Sequence, residues 1–125
     1  MSIQPLSTFT YEIKKSKFIG IAYHVTNTDE VINIFNELKK EHKNARHVTY
    51  AYKLKENEII KIKGFDDKEP KNTASLPILN AIENNNLINI VIFVIRYFGK
   101  IKLGIGGLYR SYSKCSIETI KNIKK

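Results

Sequence analysis

Sulfur chemistry is almost missing from this chain: one cysteine, Cys115, and one methionine stand in 125 residues. A lone cysteine excludes an internal disulfide framework and any cysteine-rich zinc site. Long apolar runs are missing too, none approaching the roughly 18 residues of a membrane span. The opening MSIQPLSTFTYEIKK has no hydrophobic core ahead of its lysines, so no secretory signal is expected, and the cytoplasm is the default compartment. Three prolines and six glycines form no linker or low-complexity tract, and no internal repeat is visible. What remains is 42% apolar and 26% charged, the composition of one globular domain able to bury its own core.

Negative charge is also scarce, with 12 acidic against 21 basic residues and a net charge of +9. Eighteen of the basic residues are lysine, and isoleucine and asparagine are common, as codons rich in A and T would produce whatever the function. Position is therefore more informative than the sum. Residues 1–95 carry 13 basic and 11 acidic side chains, whereas residues 96–125 carry 8 basic and one acidic, Glu118. A cationic end favours nucleic acid, an acidic protein or anionic lipid as partner. The alternative is a solvated tail, since Lys121, Lys124 and Lys125 follow a helix end.

Periodicity supplies the elements. Residues 9–15 and 17–26 predict two strands joined near Lys15-Ser16, with Ile19, Ile21, Tyr23 and Val25 on one face. Thr28 is the expected N-cap of an amphipathic helix running to about Lys43, with Val31, Ile34, Phe35 and Leu38 inward. Strands follow at 46–55 and 59–63, then a polar loop at 64–73 and a helix at about 74–85 capped by Thr73. The stretch INIVIFVIRYF at 88–98 is apolar on both alternating faces, the signature of an interior strand. A glycine-punctuated segment, 99–107, precedes a last helix from about Leu108 to Lys124. The order ββαββαβα predicts an α+β fold, a two-layer sandwich of helices on a four- or five-stranded sheet.

Three groups of residues could carry chemistry. In RYFGKIKLGIGGLYRSYS, 96–113, a buried strand ends, Gly104, Gly106 and Gly107 follow, and a helix begins. Glycine permits close backbone approach, and the first amides of a helix lack internal partners. Such a junction can hold an anion, with Arg96, Lys100, Lys102 and Arg110 adding charge, or it is a tight turn that needs glycine for steric reasons. It is neither a P-loop nor a dinucleotide fingerprint. Tyr97, Tyr109 and Tyr112 interleave with these cations, as base-stacking surfaces do, although tyrosine at helical spacing also fills cores. The loop Asp66-Asp67-Lys68-Glu69-Pro70 could bind a divalent cation, supply a general base, order the basic segment by pairing with it, or simply be solvated; its spacing fits no calcium loop. His47 is a candidate base only if a partner lies within hydrogen-bond reach. Cys115 shares a helical stripe with Leu108, Tyr112 and Thr119 and reads as a packed thiol. No cofactor motif is apparent, and no bound metal is expected.

DDKEPKNTASLP at 66–77, followed by RYFGKIKLGIGGLYRSYS at 96–113, resembles the IMPACT family, the amino-terminal domain of YigZ-type bacterial proteins. The first segment matches the family at Asp66, Asp67, Glu69, Pro70, Thr73, Ala74 and Pro77. The second matches from Arg96 to Gly99 and again at Lys102, Leu103, Gly104, Gly106, Gly107 and Leu108. KKSKF at 14–18 and ARH at 45–47 also resemble family positions, so the likeness spans roughly residues 11–115. Lys68 and Lys100 stand where the family has glycine. If the backbone there requires positive φ, each costs about 1–2 kcal/mol.

The resemblance implies a fold similar to domain four of elongation factor G, and YigZ-type proteins carry a second, ferredoxin-like domain that this chain is expected to lack. Residues and resemblance together leave three functions open. The first is a module that binds structured RNA or the ribosome through Arg96, Tyr97, Lys100, Lys102, Gly104, Gly106, Gly107 and Arg110. The second is an enzyme acting on an anionic or phosphorylated small molecule with His47, Asp66, Asp67 and Glu69. The third is a protein-interaction module in translational control.

Overall fold

The computed structural model describes residues 3–124. Five strands, β1 (Ser7–Ile13), β2 (Ser16–His24), β3 (His47–Glu56), β4 (Ile59–Phe65) and β5 (Ile90–Tyr97), form one sheet in the order β1-β2-β5-β3-β4. Every neighbouring pair is antiparallel. Three helices, α1 (Thr28–Glu41), α2 (Ser75–Asn84) and α3 (Gly104–Lys121), complete the ββαββαβα order, and a short 3-10 turn follows at Asn122–Lys124. Lys125, one of the tail lysines, lies outside the described residues.

The doubly apolar strand is the centre of the sheet. Ile90, Ile92 and Val94 of β5 face α2 and α3, where Ile78, Ile82, Leu108 and Tyr112 bury them. Val91, Phe93 and Ile95 face the other way, against Val31, Ile34 and Leu38 of α1. The sequence pattern predicts all helices in a single layer. They divide instead between the two faces, because a strand apolar on both sides needs cover on both.

Helix starts differ from expectation for identifiable reasons. The N-cap of α1 is Asn27, in extended backbone, whose Oδ1 accepts the Glu30 amide at 2.9 Å, so Thr28 is the first helical residue. Thr73 does not cap α2, because its hydroxyl donates to the Pro70 carbonyl at 2.6 Å. The amides of Ala74 and Ser75 are satisfied by the Asp66 carboxylate at 3.2 and 2.8 Å. α3 begins at Gly104, so Gly106 and Gly107 are helical; of the three glycines, Gly104 alone has positive φ, at 75°.

Register gathers four loops at one end of the sheet. Arg96 at the end of β5 lies opposite Phe18 near the start of β2 and opposite His47 at the start of β3. The β1–β2 turn (Lys14-Lys15), the 42–46 loop, the 66–74 loop and the 98–103 loop therefore surround the same corner. The packing there is tight: a Cβ at Gly99 would fall 2.1 Å from the Lys15 carbonyl.

Candidate nucleic-acid interface

Beneath the corner lies a buried ion pair. Arg96 is 7% exposed and Glu69 6%. Nε of Arg96 donates to Oε2 of Glu69 at 2.6 Å, and Nη2 donates to Oε1 at 3.0 Å. The Tyr112 hydroxyl, from the buried face of α3, donates to the same Oε2. His47 Nε2 stands 3.5 Å from Oε1. His47 Nδ1 lies 2.6 Å from the Asp67 carbonyl, which can only accept, so Nδ1 carries a proton. Burial, and then the Glu69 charge, push the Tyr112 hydroxyl well above the ordinary tyrosine range. Burial works to lower the Arg96 guanidinium, but its bonds to Glu69 outweigh that and hold it firmly charged.

The other two acids of the loop are spent on backbone. Asp67 Oδ2 accepts the Val48 amide at 2.6 Å, and Asp66 accepts from Asn72, Ala74 and Ser75. Burial would raise the Asp66 carboxyl, but these amides prevail and hold it below the usual carboxylate range. Of the readings open for this loop, pairing with the basic segment is realised by Glu69, while Asp66 and Asp67 fold the loop itself. Among the described residues no group of three His, Cys, Asp or Glu is placed to hold a metal ion.

With the acids turned inward, the cations are left facing out. Lys14, Lys15, Arg46, Lys68, Lys71, Lys100 and Lys102 are exposed around the corner. None of them makes an ion pair with a described residue. Arg46 lies over the Phe98 ring, 4.7 Å from its centroid. Between the 66–70 loop and the start of α3 opens a cleft of about 430 Å³, which Arg46, His47, Lys68, Glu69, Arg96 and Lys102 line together with Phe98, Leu103, Gly104 and Ile105. Lys68 and Lys100 have φ of 70° and 71°. Both lysines therefore occupy the left-handed backbone that the glycine comparison made conditional.

The sequence candidates separate accordingly. Lys100, Lys102 and Arg110 are exposed cations, as a phosphate-contacting role requires. Arg96 is committed to Glu69. Tyr97 bonds through its hydroxyl to His42 Nδ1 at 2.6 Å and lies under Lys17, so its ring is not an open platform. Tyr109 bonds to Asn80, and Tyr112 is core. Cys115 is buried, and its thiol is pushed up to about 12 by burial, which is the packed thiol expected. Sequence reasoning missed Arg46, Lys68 and the turn lysines as contributors to the corner. It also missed the Tyr112–Glu69 bond, whose one visible signal was a tyrosine, with its polar tip, on the inward stripe of the last helix.

An antiparallel sheet covered on both faces, with a buried Arg–Glu–Tyr cluster under a cationic end, defines the class as an α+β domain of order ββαββαβα. The chain belongs to the IMPACT family: residues 14–120 match the Impact N-terminal domain. It is 40% identical over 111 residues to the IMPACT family member YvyE of Bacillus subtilis (strain 168), covering 89% of this chain and 51% of that protein. It is 35% identical over 106 residues to the IMPACT family member YigZ of Escherichia coli (strain K12), covering 84% and 52%. The chain thus spans about half the length of the curated relatives it matches. A crystal structure of a hypothetical protein superposes with a TM-score of 0.86 at 30% identity, covering 92% of this chain and 56% of that one. The two-domain translational regulator Yih1 shares the fold at a TM-score of 0.57 and 20% identity, covering 97% of this chain and 46% of that one.

Proposed function

We propose that this domain binds structured RNA, free or on the ribosome, through the basic end of its sheet. The observation that carries this reading is the segregation of charge. Four loops turn at least seven cations outward without acid partners among the described residues, while Asp66, Asp67 and Glu69 are turned inward. Phosphate contacts release counterions, so affinity should fall steeply with salt. Lys100, Lys102 and Arg110 would contact phosphates, with Arg46 and Lys68 beside them, and Arg96 acts from below by fixing the loop through Glu69. The fold shared with a translational regulator accords with a role near the ribosome.

The test is the salt dependence of binding to a structured RNA. Replacing Lys100, Lys102 and Arg110 together by Ala should flatten the log–log slope by about 2–3, at roughly 0.7–0.9 for each phosphate no longer neutralised. Lys55→Ala, on β3 away from this corner, should leave it unchanged. An unaltered slope in the triple variant overturns the assignment of the surface.

A second reading has one observation in its favour: the cleft does join His47 and Glu69 to the start of α3, as an enzyme acting on an anionic small molecule would need. Asp66 and Asp67 do not line it, and both Glu69 oxygens already accept hydrogen bonds from Arg96, with Tyr112 on one of them. Turnover of a phosphorylated small molecule that His47→Ala abolishes would establish this reading. Protein docking would call on a different surface, the β4 edge, where Ile59, Ile60 and Ile62 are exposed.

A further inference from the structure

The cleft is more than phosphate contact needs. A surface that tracks a nucleic-acid backbone requires outward cations, and the lysines of the corner already supply them. Its volume of about 430 Å³ falls in the range of sites that enclose a ligand of small-molecule size. The walls differ in chemistry. Arg46, Lys68 and Lys102 form a cationic rim without acid partners among the described residues, whereas Leu103, Ile105 and Leu108 make an apolar side. Ile105 is 67% exposed on that lip, an apolar side chain with nothing packed over it. Glu69, the one acid lining the cleft, has its charge already met by Arg96. The Arg46 guanidinium lies over the Phe98 ring, 4.7 Å from its centroid, and the side chain is exposed, which leaves room for a second planar group.

A ligand that matches a cationic rim, an apolar side and a flat guanidinium has an anion joined to a planar, weakly polar ring. We propose that the cleft takes one unpaired nucleotide of the bound RNA, its phosphate between Arg46, Lys68 and Lys102 and its base against Arg46 and Ile105. This rests on the RNA reading above and narrows it: the target carries a bulge, loop or frayed end rather than an uninterrupted duplex. Base stacking on a side-chain platform is tolerant of base identity, so the site selects an unpaired nucleotide rather than a sequence.

Three probes test it with the whole chain: a hairpin RNA with a single 2-aminopurine bulge, the same stem without the bulge, and adenosine 5′-monophosphate. The bulged hairpin should bind about tenfold tighter than the uninterrupted stem, from one stacked base, with a change in 2-aminopurine emission on binding. Ile105→Ser, at an exposed position the core does not use, should bring the ratio of the two hairpin affinities close to one. Arg46→Gln should weaken both hairpins and abolish the emission change. Equal affinity for the two hairpins overturns the nucleotide site while leaving the RNA reading standing. Failure to bind either hairpin overturns the RNA reading itself, and binding of the monophosphate alone assigns the cleft to a free nucleotide and overturns both.

Discussion

Glu69 receives two nitrogens of Arg96 and the hydroxyl of Tyr112, with His47 beside it, at 6% exposure. A carboxylate so enclosed is stable only with its charge matched, and removing it strands a guanidinium in the core. Glu69→Ala should therefore cost about 3–5 kcal/mol in urea unfolding, and a loss under about 1 kcal/mol would contradict a tightly coupled pair. In the sequence the three acids at 66, 67 and 69 look alike. Which one faces inward depends on the path of the loop, and spacing alone does not encode that path. The strain at Lys68 and Lys100 was legible, because lysine stood where the resemblance called for glycine. Both sit at the basic corner, where the added charge accompanies a backbone cost of about 1–2 kcal/mol each.

The 66–74 loop works as an element: Asp66, half-buried, closes it and caps α2 from eight residues upstream. Its carboxyl is held below the unfolded value near 3.9. The sign follows directly. The stabilisation is fully present above the unfolded pKa and is lost as pH falls through the lower folded pKa. Melting temperature should then drop as pH is taken from about 5 down to about 2. Asp66→Asn should be less stable at neutral pH and less pH-dependent across that window, whereas parallel curves for the two proteins would contradict the capping role. Strands were legible from alternation, and β5 announced its central place by being apolar on both sides. Helix starts were less so. Glycine is a poor helix former, so 104–107 read as a loop, yet α3 begins at Gly104, whose positive φ joins the 98–103 loop to the helix. A cap supplied from a distant loop, as Asp66 supplies it, leaves no local signal beside α2.

Across the whole molecule, charge is sorted rather than merely abundant. The excess over residues 96–125 pointed to one half of the basic corner. The other half, from Lys14 to Lys71, is hidden in a stretch nearly neutral in sum, and only the register of β2, β3 and β5 brings it alongside. Composition could indicate that a cationic surface exists, while its outline required the pairing of strands far apart in the chain. The most direct measurement is an amide chemical-shift map of the isotope-labelled protein titrated with a structured RNA. RNA docking at the basic end predicts shifts confined to residues 14–17, 43–48, 66–72 and 98–110. Shifts centred on the β3–β4 turn and the β4 edge, or none at all at saturating RNA, would contradict it.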